Sequence, residues 1–118
     1  GFLYNHDSLY QRIIIYDGTY EDRPTRFLFQ DRNASAAAFL DSKELPYDYT
    51  KYYVLYQIFT SNPKETLVIG GGAYSVPKTL LEDLPQAHVD VAEIDPLIFE
   101  LAKQNIVAKH WYQYQKQM

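Results

Sequence analysis

Cysteine is absent from the 118 residues of this chain, which excludes disulfides and thiolate metal sites. Basic residues are few, since 11 Lys and Arg stand against 15 Asp and Glu, and their scatter along the chain argues against a nucleic-acid partner. No apolar run approaches the roughly 20 residues of a membrane-spanning helix. These shortages favour a soluble, cytoplasmic domain with no membrane segment and no nucleic-acid surface.

Histidine is also scarce in the chain. The three histidines, His6, His88 and His110, have no metal-ligand spacing and no nucleophile beside them, so we assign them no metal and no catalytic role. Apolar material, in contrast, is plentiful: 47% of the residues are hydrophobic and 12 residues are tyrosines. That is ample for the core of one ordinary domain, or of one small domain and part of another.

The first third of the chain, residues 8–39, is typical of antiparallel β structure. Residues 11–16 are rich in β-branched side chains and run into Asp17-Gly18, a strong turn dipeptide, and residues 26–30 follow as a second strand. Residues 34–40 are small and rich in alanine, and they fit either a short strand or a helical turn. Because nothing here alternates with helices, the pattern predicts a separate antiparallel layer.

Residues 47–59 are apolar or aromatic on nearly every side, and they include Tyr49 and Tyr52. A helix that is apolar all round is normally buried between layers. We therefore expect a buried helix that bridges the antiparallel layer and the segment after it. Core packing is then the expected role of both tyrosines.

The second half of the chain follows a β-α-β-α pattern. Residues 66–69 form a short, continuously apolar strand, and Ser75 can cap a helix that has a proline in its first turn. Residues 88–94 form the second strand, and Asp95-Pro96 is a strong helix start. The short connections between these elements predict the first half of a doubly wound α/β fold.

Three consecutive glycines and one carboxylate give the clearest functional signal. Gly70, Gly71 and Gly72 follow the first strand of this unit, so a ligand can closely approach main-chain N–H groups at a helix N-terminus. Glu93 closes the second strand and can accept hydrogen bonds from both hydroxyls of a ribose. Asp95 is explained by helix capping, with ligand contact as a secondary role. The spacing predicts a site for a nucleotide-like ligand at the carboxyl edge of a parallel sheet.

The domain organisation follows from these two patterns. We interpret residues 1–46 as a β-hairpin module and residues 47–118 as the first part of an α/β domain. A third parallel strand should follow the second helix, but residues 107–118 are polar and aromatic and carry no strand signal. Either the chain is a fragment, or it lacks a segment, or a partner chain completes the sheet, and we favour the first two.

The order of these features resembles the spermidine synthase family of polyamine aminopropyltransferases. The resemblance covers residues 8–106 approximately, and four segments carry it: Ser8-Leu9-Tyr10-Gln11, Ile15-Tyr16-Asp17-Gly18, Asn62-Pro63-Lys64 through Ile69-Gly70-Gly71-Gly72, and Val91-Ala92-Glu93-Ile94-Asp95-Pro96. It implies a Rossmann-like class I methyltransferase fold, here partial, that follows a small antiparallel β-hairpin module. It also implies a homodimer formed through that module.

The resemblance is strongest to the divergent, spermidine-synthase-like branch. In that branch small or aromatic residues and a proline often follow the glycines, as in Ala73-Tyr74-Ser75-Val76-Pro77. Authentic aminopropyltransferases have, at the position of Ala73, an aspartate that holds an amine of the ligand, and an alanine cannot pair with ammonium. The resemblance implies S-adenosylmethionine or its decarboxylated form as co-substrate, without a metal. Ala73 favours the form that retains its carboxylate.

The resemblance also assigns roles to individual residues. Gln11 matches the family's glutamine that donates to the ligand, and Tyr49 and Tyr52 fall near its substrate-side tyrosine. The family's catalytic aspartate lies after the fourth strand of the sheet, in a segment outside this chain. The implied co-substrate-binding set is Gln11, Gly70, Gly71, Gly72, Ala73, Glu93 and Asp95.

The expected reaction of the complete protein is aminopropyl transfer to an amine such as a polyamine, with methylthioadenosine as the leaving group. Methyl transfer from S-adenosylmethionine is the alternative within the transferase class. A non-catalytic nucleoside-binding or assembly module also stays open, because about half of the active site would lie outside the chain. A dinucleotide-dependent dehydrogenase fits less well, since Ser75 stands where its third glycine is expected.

Overall fold

An antiparallel sheet forms the first half of the computed structural model, which describes residues 2–105. Its four strands lie in sequence order: β1 Phe2–Asp7, β2 Arg12–Tyr20, β3 Arg23–Gln30 and β4 Asn33–Phe39. The predicted antiparallel layer is confirmed, and residues 34–40 contribute a strand rather than a helical turn. β1 was not predicted, because this edge strand is exposed along almost its whole length and shows no alternation of apolar and polar residues.

The turn between β2 and β3 lies at Glu21-Asp22, so the turn predicted at Asp17-Gly18 is wrong. Both turn residues have positive φ, 51° and 59°, as a tight two-residue hairpin turn requires. Asp17 and Gly18 lie inside the ladder opposite β3 instead. A Cβ at Gly18 would meet Cε1 of the Tyr16 ring at 2.7 Å, so the glycine makes room for that ring. The dipeptide serves packing within the strand rather than chain reversal.

Residues 47–59 do not form a buried helix, which corrects the expectation from the sequence. A short helix α1, Asp48–Lys51, runs into a 3₁₀ helix, Tyr52–Ile58, and neither contains a buried residue. The rings of this segment pack partly on each other, and those of Tyr47 and Tyr49 stack with centroids 5.9 Å apart. This aromatic segment, residues 47–59, therefore lies on the surface. The expectation of a buried helix is wrong because the α-helix is only one turn long.

A parallel pair of strands and two helices form the second half. β5 Glu65–Ile69 pairs in parallel with β6 His88–Ala92, α2 Ser75–Asp83 connects them, and α3 Pro96–Asn105 follows β6. The predicted β-α-β-α order is confirmed through residue 105. The second strand ends at Ala92, earlier than the predicted residue 94. The expectation for residues 107–118 lies outside the described residues.

The start of α2 differs from the prediction. Tyr74 precedes the helix with φ 60°, and no side chain caps the helix. The Ser75 hydroxyl donates to the Ala37 carbonyl of β4 at 3.1 Å, so Ser75 ties the helix to the antiparallel sheet instead of capping it. Pro77 lies in the first turn, as predicted, and is buried.

One hydrophobic core joins the antiparallel sheet to α3 and to the residues after the glycines. It consists of Ile13, Ile15 and Leu28 from the sheet with Ala73, Tyr74, Ile98, Leu101 and Ala102. A second cluster, between α2 and the parallel pair, consists of Leu80, Leu81, Leu84, Ala87 and Val89. The glycines therefore lie on a segment whose two ends are anchored in different cores.

Arg26 of β3 makes a polar link between the sheet and the end of α3. Its Nε and Nη2 atoms donate to the two carboxylate oxygens of Asp17 at 2.7 and 2.8 Å, and its Nη1 donates to the Asn105 carbonyl. These hydrogen bonds hold the pKa of the Asp17 carboxyl below its ordinary value. A bidentate pair of this kind fixes the orientation of the guanidinium, from which Nη1 reaches the end of α3.

The two faces of the parallel pair differ in how well they are covered. α2 packs on the face that carries Val68, Val89 and Val91. On the opposite face, Leu67 and Ile69 are 63% and 83% exposed. Two strands alone are not stable in water, so the position of this pair depends on α2 and on the core shared with the antiparallel sheet.

Candidate functional site

The glycine loop, Gly70–Gly72, leaves the parallel pair at the carboxyl end of β5. The Gly70 N–H still donates to the Ala92 carbonyl of β6 at 2.8 Å, and the chain turns away after it. Gly70 and Gly72 have φ of 83° and 52°, in the left-handed region that glycine adopts without strain. The residue types at these positions are thus required by the path of the backbone.

Gly71 lies directly against the ring of Tyr74. A Cβ at position 71 would collide with the Cε2 and Cζ atoms of that ring. The ring is buried and packs edge-on against Phe99, with centroids 5.5 Å apart, so it cannot easily move aside. Burial, and secondarily the nearby charge of Glu93, raise the pKa of the Tyr74 phenol to about 12. Tyr74 therefore stays neutral and acts as a wall for the glycine loop.

Glu93 follows β6, and its carboxylate lies across the glycine loop. Its Oε2 accepts hydrogen bonds from the N–H groups of Gly71 and Gly72, at 2.9 and 3.4 Å. Its Oε1 accepts from the Asp95 N–H at 3.1 Å. The structure therefore brings the glycines and the acidic residue of the sequence prediction together in one constellation.

This arrangement leaves the Glu93 carboxylate with acceptor capacity. A carboxylate offers roughly four lone-pair positions, and the N–H groups of Gly71, Gly72 and Asp95 use at most three of them. Further donors, such as two adjacent hydroxyls, can share these oxygens or displace the longer contact to Gly72. The site is suited to hold a vicinal diol next to main-chain N–H groups.

Asp95 is buried, with 1% of its surface exposed, and both oxygens of its carboxylate accept hydrogen bonds. Its Oδ1 accepts from the Leu97 N–H at 3.0 Å, which is the capping contact predicted from the sequence. Its Oδ2 accepts from the Ser8 hydroxyl at 2.7 Å and from Nε2 of Gln11 at 3.2 Å. Asp95 thus caps α3 and also binds the loop between β1 and β2.

Gln11 lies next to this site, and its side-chain amide donates to Asp95. This hydrogen bond from Nε2 to Oδ2, 3.2 Å long, uses one of the two amide hydrogens, so the expected role of Gln11 towards a ligand stays a prediction. Its Oε1 has no hydrogen-bond donor among residues 2–105. The side chain is partly buried beside the Glu93–Asp95 segment.

Two cavities open on the glycine loop and on Glu93. The first, of about 380 Å³, lies between β4, the aromatic segment and the loop; its lining includes Ser35, Tyr49, Tyr53, Gly70, Gly71 and Ala73. The second, of about 410 Å³, is lined by Glu93, Asp95 and the rings of Tyr74 and Phe99, among others. Each has a size typical of part of a small-molecule site.

The remaining predicted site residues are placed as follows. Tyr49 is 63% exposed and lines the first cavity, where its hydroxyl donates to the Ser35 carbonyl at 3.0 Å. Tyr52 is 66% exposed. The expectation that both pack in the core is therefore wrong, because the 3₁₀ segment lies on the surface. Ala73 packs in the shared core and also borders the first cavity.

Reasoning from the sequence missed two further residues at the cavities. Tyr53 lines the first cavity, and its hydroxyl donates to Asp83 of α2. Burial and this hydrogen bond raise the pKa of the Tyr53 phenol far above its ordinary value. Tyr74 was visible as the residue that follows Ala73, but nothing in the sequence showed that its ring would return onto Gly71. Both contacts depend on the tertiary structure.

No group of three or more His, Cys, Asp or Glu side chains in residues 2–105 is arranged to hold a metal ion. None of the helices described here has the length and apolarity needed to cross a membrane.

Comparison with known proteins gives one informative similarity. No protein-family model matches the chain. Over 105 residues the chain is 29% identical to a protein of Vibrio vulnificus (strain CMCP6) named polyamine aminopropyltransferase. The aligned region covers 86% of this chain but 34% of that relative, so the chain spans that fraction of the relative's length. The similarity supports a spermidine-synthase-like relationship for the region that contains the glycine loop and Glu93.

Proposed function

We propose that this chain is the co-substrate-binding part of a spermidine synthase-like transferase. It binds a sulfonium nucleoside, either decarboxylated S-adenosylmethionine or S-adenosylmethionine, at the glycine loop. The observation that carries the proposal is the Glu93 carboxylate, which lies on the N–H groups of Gly71 and Gly72 at the carboxyl end of two parallel strands. The similarity to a polyamine aminopropyltransferase is consistent with it.

Each element of the site has a chemical role in this proposal. Glu93 accepts hydrogen bonds from the ribose hydroxyls and thereby orients the nucleoside. The glycine loop lets the ligand approach the backbone, and the rings of Tyr74 and Phe99 border the cavity beside Glu93. Tyr49 and Tyr52 belong to the acceptor side in this proposal, with Tyr49 on the wall of the cavity that also reaches the loop.

The reaction is a nucleophilic displacement at a carbon bound to sulfonium. An amine nitrogen of the acceptor attacks this carbon, the C–S bond breaks with its electron pair going to sulfur, and methylthioadenosine leaves as a neutral thioether. The attacking amine must be neutral, so a base outside this chain removes its proton. The residues of this chain contribute position and orientation of the reacting centre rather than proton transfer.

Ala73 keeps methyl transfer from S-adenosylmethionine as a second candidate. Its methyl group packs in the core beside the first cavity and offers no charge to an ammonium group. A ligand that carries its own carboxylate needs less from the protein at this point. Methyl transfer follows the same displacement chemistry, with the methyl carbon as the centre of attack.

Binding of the two sulfonium compounds separates these candidates. Titration of the chain with decarboxylated S-adenosylmethionine and with S-adenosylmethionine gives two dissociation constants. Tighter binding of S-adenosylmethionine supports the role of Ala73, and tighter binding of the decarboxylated compound contradicts it. If the folded chain binds neither compound, the proposed function is wrong and a role in assembly alone is favoured.

Three further predictions belong to this proposal. The partial class I methyltransferase fold predicts that parallel strands beyond β5 and β6 complete the sheet in the whole protein. We also expect the boundary between the two parts of the chain to lie between residues 46 and 47. The homodimer is expected to form through the antiparallel sheet. Sedimentation of the chain at several concentrations tests the dimer directly.

A further inference from the structure

The short helix α1 and the residues beside it form one wall of the first cavity. Tyr47, Tyr49, Thr50 and Tyr53 line this cavity together with Gly70–Gly72. Along the aromatic segment the partly buried residues are spaced by three, at positions 47, 50, 53 and 56, and the other residues of 48–59 are exposed. This spacing fits a helix with three residues per turn, which turns one stripe of side chains towards the protein. The rest of the segment lies in solvent.

Tyr47 and Tyr53 attach the two ends of α1 to different parts of the protein. The Tyr47 ring packs edge-on against the Tyr20 ring of β2, with centroids 5.5 Å apart. The Tyr53 ring packs against the second cluster, and its hydroxyl donates to Asp83 of α2. A hydrogen bond to a carboxylate is about twice as strong as one between neutral groups. α1 is therefore held by the antiparallel sheet at one end and by α2 at the other.

Tyr49 makes the contact that closes α1 over the first cavity. Its hydroxyl donates to the Ser35 carbonyl of β4 at 3.0 Å, and this neutral hydrogen bond belongs to a residue that is 63% exposed. α1 contains no buried residue, and the ion pairs of Lys51 with Asp48 and Glu44 are exposed and contribute little. A helix of one turn is not stable by itself, so the closed position of α1 depends on the Tyr49 contact.

We propose that α1 is a strap that opens at Tyr49, stays attached at Tyr47 and Tyr53, and admits the sulfonium nucleoside to the glycine loop. The hydrogen bond from Tyr49 to Ser35 must break for a ligand to enter and again for it to leave, and it forms again in between. The closed strap keeps water out of the cavity beside the loop. The inference rests on the proposed function, because it describes how the ligand of that site enters and leaves.

Amide hydrogen exchange in the ligand-free chain, followed by NMR, tests whether the strap opens. The Thr50 N–H donates to the Tyr47 carbonyl at 3.0 Å inside the strap, and the Phe59 N–H donates to the Tyr56 carbonyl at 2.9 Å beyond its attached end. Tyr49→Phe removes one neutral hydrogen bond. Exchange at Thr50 should therefore become roughly 2- to 10-fold faster, and exchange at Phe59 should not change.

Binding rates test what the strap does for a ligand. Surface plasmon resonance on the immobilised chain gives the association and dissociation rates of whichever sulfonium compound binds more tightly, S-adenosylmethionine or its decarboxylated form. Tyr49→Phe should raise both rates by the same factor, roughly 2- to 10-fold, and leave the dissociation constant within about twofold. The reason is that the hydrogen bond is present before and after binding and absent only during passage. A hydroxyl that merely contacts the ligand would change the dissociation rate and the dissociation constant instead.

Tyr56→Phe is the matched control for both measurements. It makes the same chemical change on the same aromatic segment, and Tyr56 lies outside the lining of the first cavity. Exchange at Thr50 and both binding rates should stay as in the native chain. Circular dichroism checks that the two variants are folded.

The possible outcomes are distinct. Faster exchange at Thr50 in Tyr49→Phe, together with equal increases in the two binding rates, supports the proposal. Unchanged exchange at Thr50, or binding rates that do not rise together, overturns it and leaves the proposed function standing. If the folded native chain binds neither sulfonium compound, the proposed function is wrong, and the role of the strap in ligand entry is wrong with it.

Discussion

The antiparallel sheet and the parallel pair differ sharply in how they are stabilised. Ile13 and Ile15 of β2 have no exposed surface and pack against α3, whereas Leu67 and Ile69 of β5 are mostly exposed. Gly70, Gly71, Gly72 and Glu93, which are predicted to bind a ligand, nevertheless follow the less well covered strands. The candidate site is therefore held in place by a core that it shares with the other sheet.

The segment after the glycine loop is the link between these two regions. Ala73 and Tyr74 are buried in the core that contains Ile13, Ile15 and Leu28. Tyr74 also lies against Gly71, so the loop inherits its position from the antiparallel sheet. Damage to that sheet should therefore affect ligand binding.

The largest effect is expected from one substitution made in each region. Ile13→Ala deletes a fully buried side chain and should lower the free energy of unfolding by about 2–5 kcal/mol. Ile69→Ala makes the same chemical change at an exposed position and should lower it by less than about 0.5 kcal/mol. Urea unfolding followed by circular dichroism measures both values. Equal losses would contradict the account, since they would mean that the parallel pair has a core of its own around Ile69.

A second prediction concerns the contact that joins the loop to the core. Gly71→Ala drives a methyl group into the buried ring of Tyr74, and overpacking of this kind costs about 1–3 kcal/mol. Its cost should shrink in a Tyr74→Leu background, where the ring atoms that collide are absent. Gly70→Ala is the matched control, because open space surrounds that position and only its φ of 83° opposes a side chain.

One outcome would contradict the role assigned to the Tyr74 ring. If Gly71→Ala costs the same with Tyr74 and with leucine at position 74, the ring does not determine the path of the loop. Nucleoside binding should follow the stability pattern, with the larger loss of affinity in the Gly71 variant that retains Tyr74.

Much of the fold could be predicted from local patterns, but its exceptions share a cause. The strands β5 and β6 and the helix start at Asp95-Pro96 follow from short apolar runs and capping chemistry, which act locally. The turn at Glu21-Asp22 could not be predicted, because the Asp17-Gly18 dipeptide is used for a salt bridge and for ring packing across strands. Contacts between strands overrode a strong local turn signal.

The aromatic segment shows the second limit of sequence reasoning. All-round apolarity predicted burial of residues 47–59, yet neither Tyr49 nor Tyr52 is buried. Burial depends on which elements pack on a segment, and the pattern of a single segment does not contain that information. The Ser75 cap failed for a similar reason, since its hydroxyl found the Ala37 carbonyl of β4.

The part of the candidate site that is formed by the glycines and Glu93 could be predicted from the sequence. The spacing from the glycines to Glu93 predicted their approach, because neighbouring parallel strands end at the same edge of a sheet. The orientation of the Gln11 amide was not predictable, since it depends on Asp95, which is 84 residues away in the chain. Polarity of a side-chain amide is set by its partner and not by its own sequence context.

The smallest expected effect is a pH dependence that comes from the polar link at Arg26. The hydrogen bonds from Arg26 lower the pKa of Asp17 below its ordinary value of 3.8, so the ionised carboxylate stabilises the fold above that pH. This contribution is lost as pH falls through the lowered pKa. Asp17→Asn should cost about 1 kcal/mol at neutral pH and should flatten the fall in stability below pH 4.

A control for this prediction lies in the turn of the same hairpin. Asp22→Asn removes a carboxylate at a position with φ of 59°, a conformation that asparagine also adopts. It should therefore leave the fall in stability below pH 4 unchanged. Unfolding free energies measured from pH 3 to pH 7 compare the three proteins. If stability falls equally steeply below pH 4 in Asp17→Asn and in the native chain, the link to α3 does not depend on this charge.

The most direct test of the central claim is calorimetric titration of the chain with methylthioadenosine, in the native form and in Glu93→Ala. A Glu100→Ala variant, changed at an exposed position of α3, serves as the matched control. The account predicts saturable binding by the native and Glu100→Ala chains that is lost in Glu93→Ala while the fold persists. Equal binding by Glu93→Ala, or no binding by a folded native chain, would contradict it.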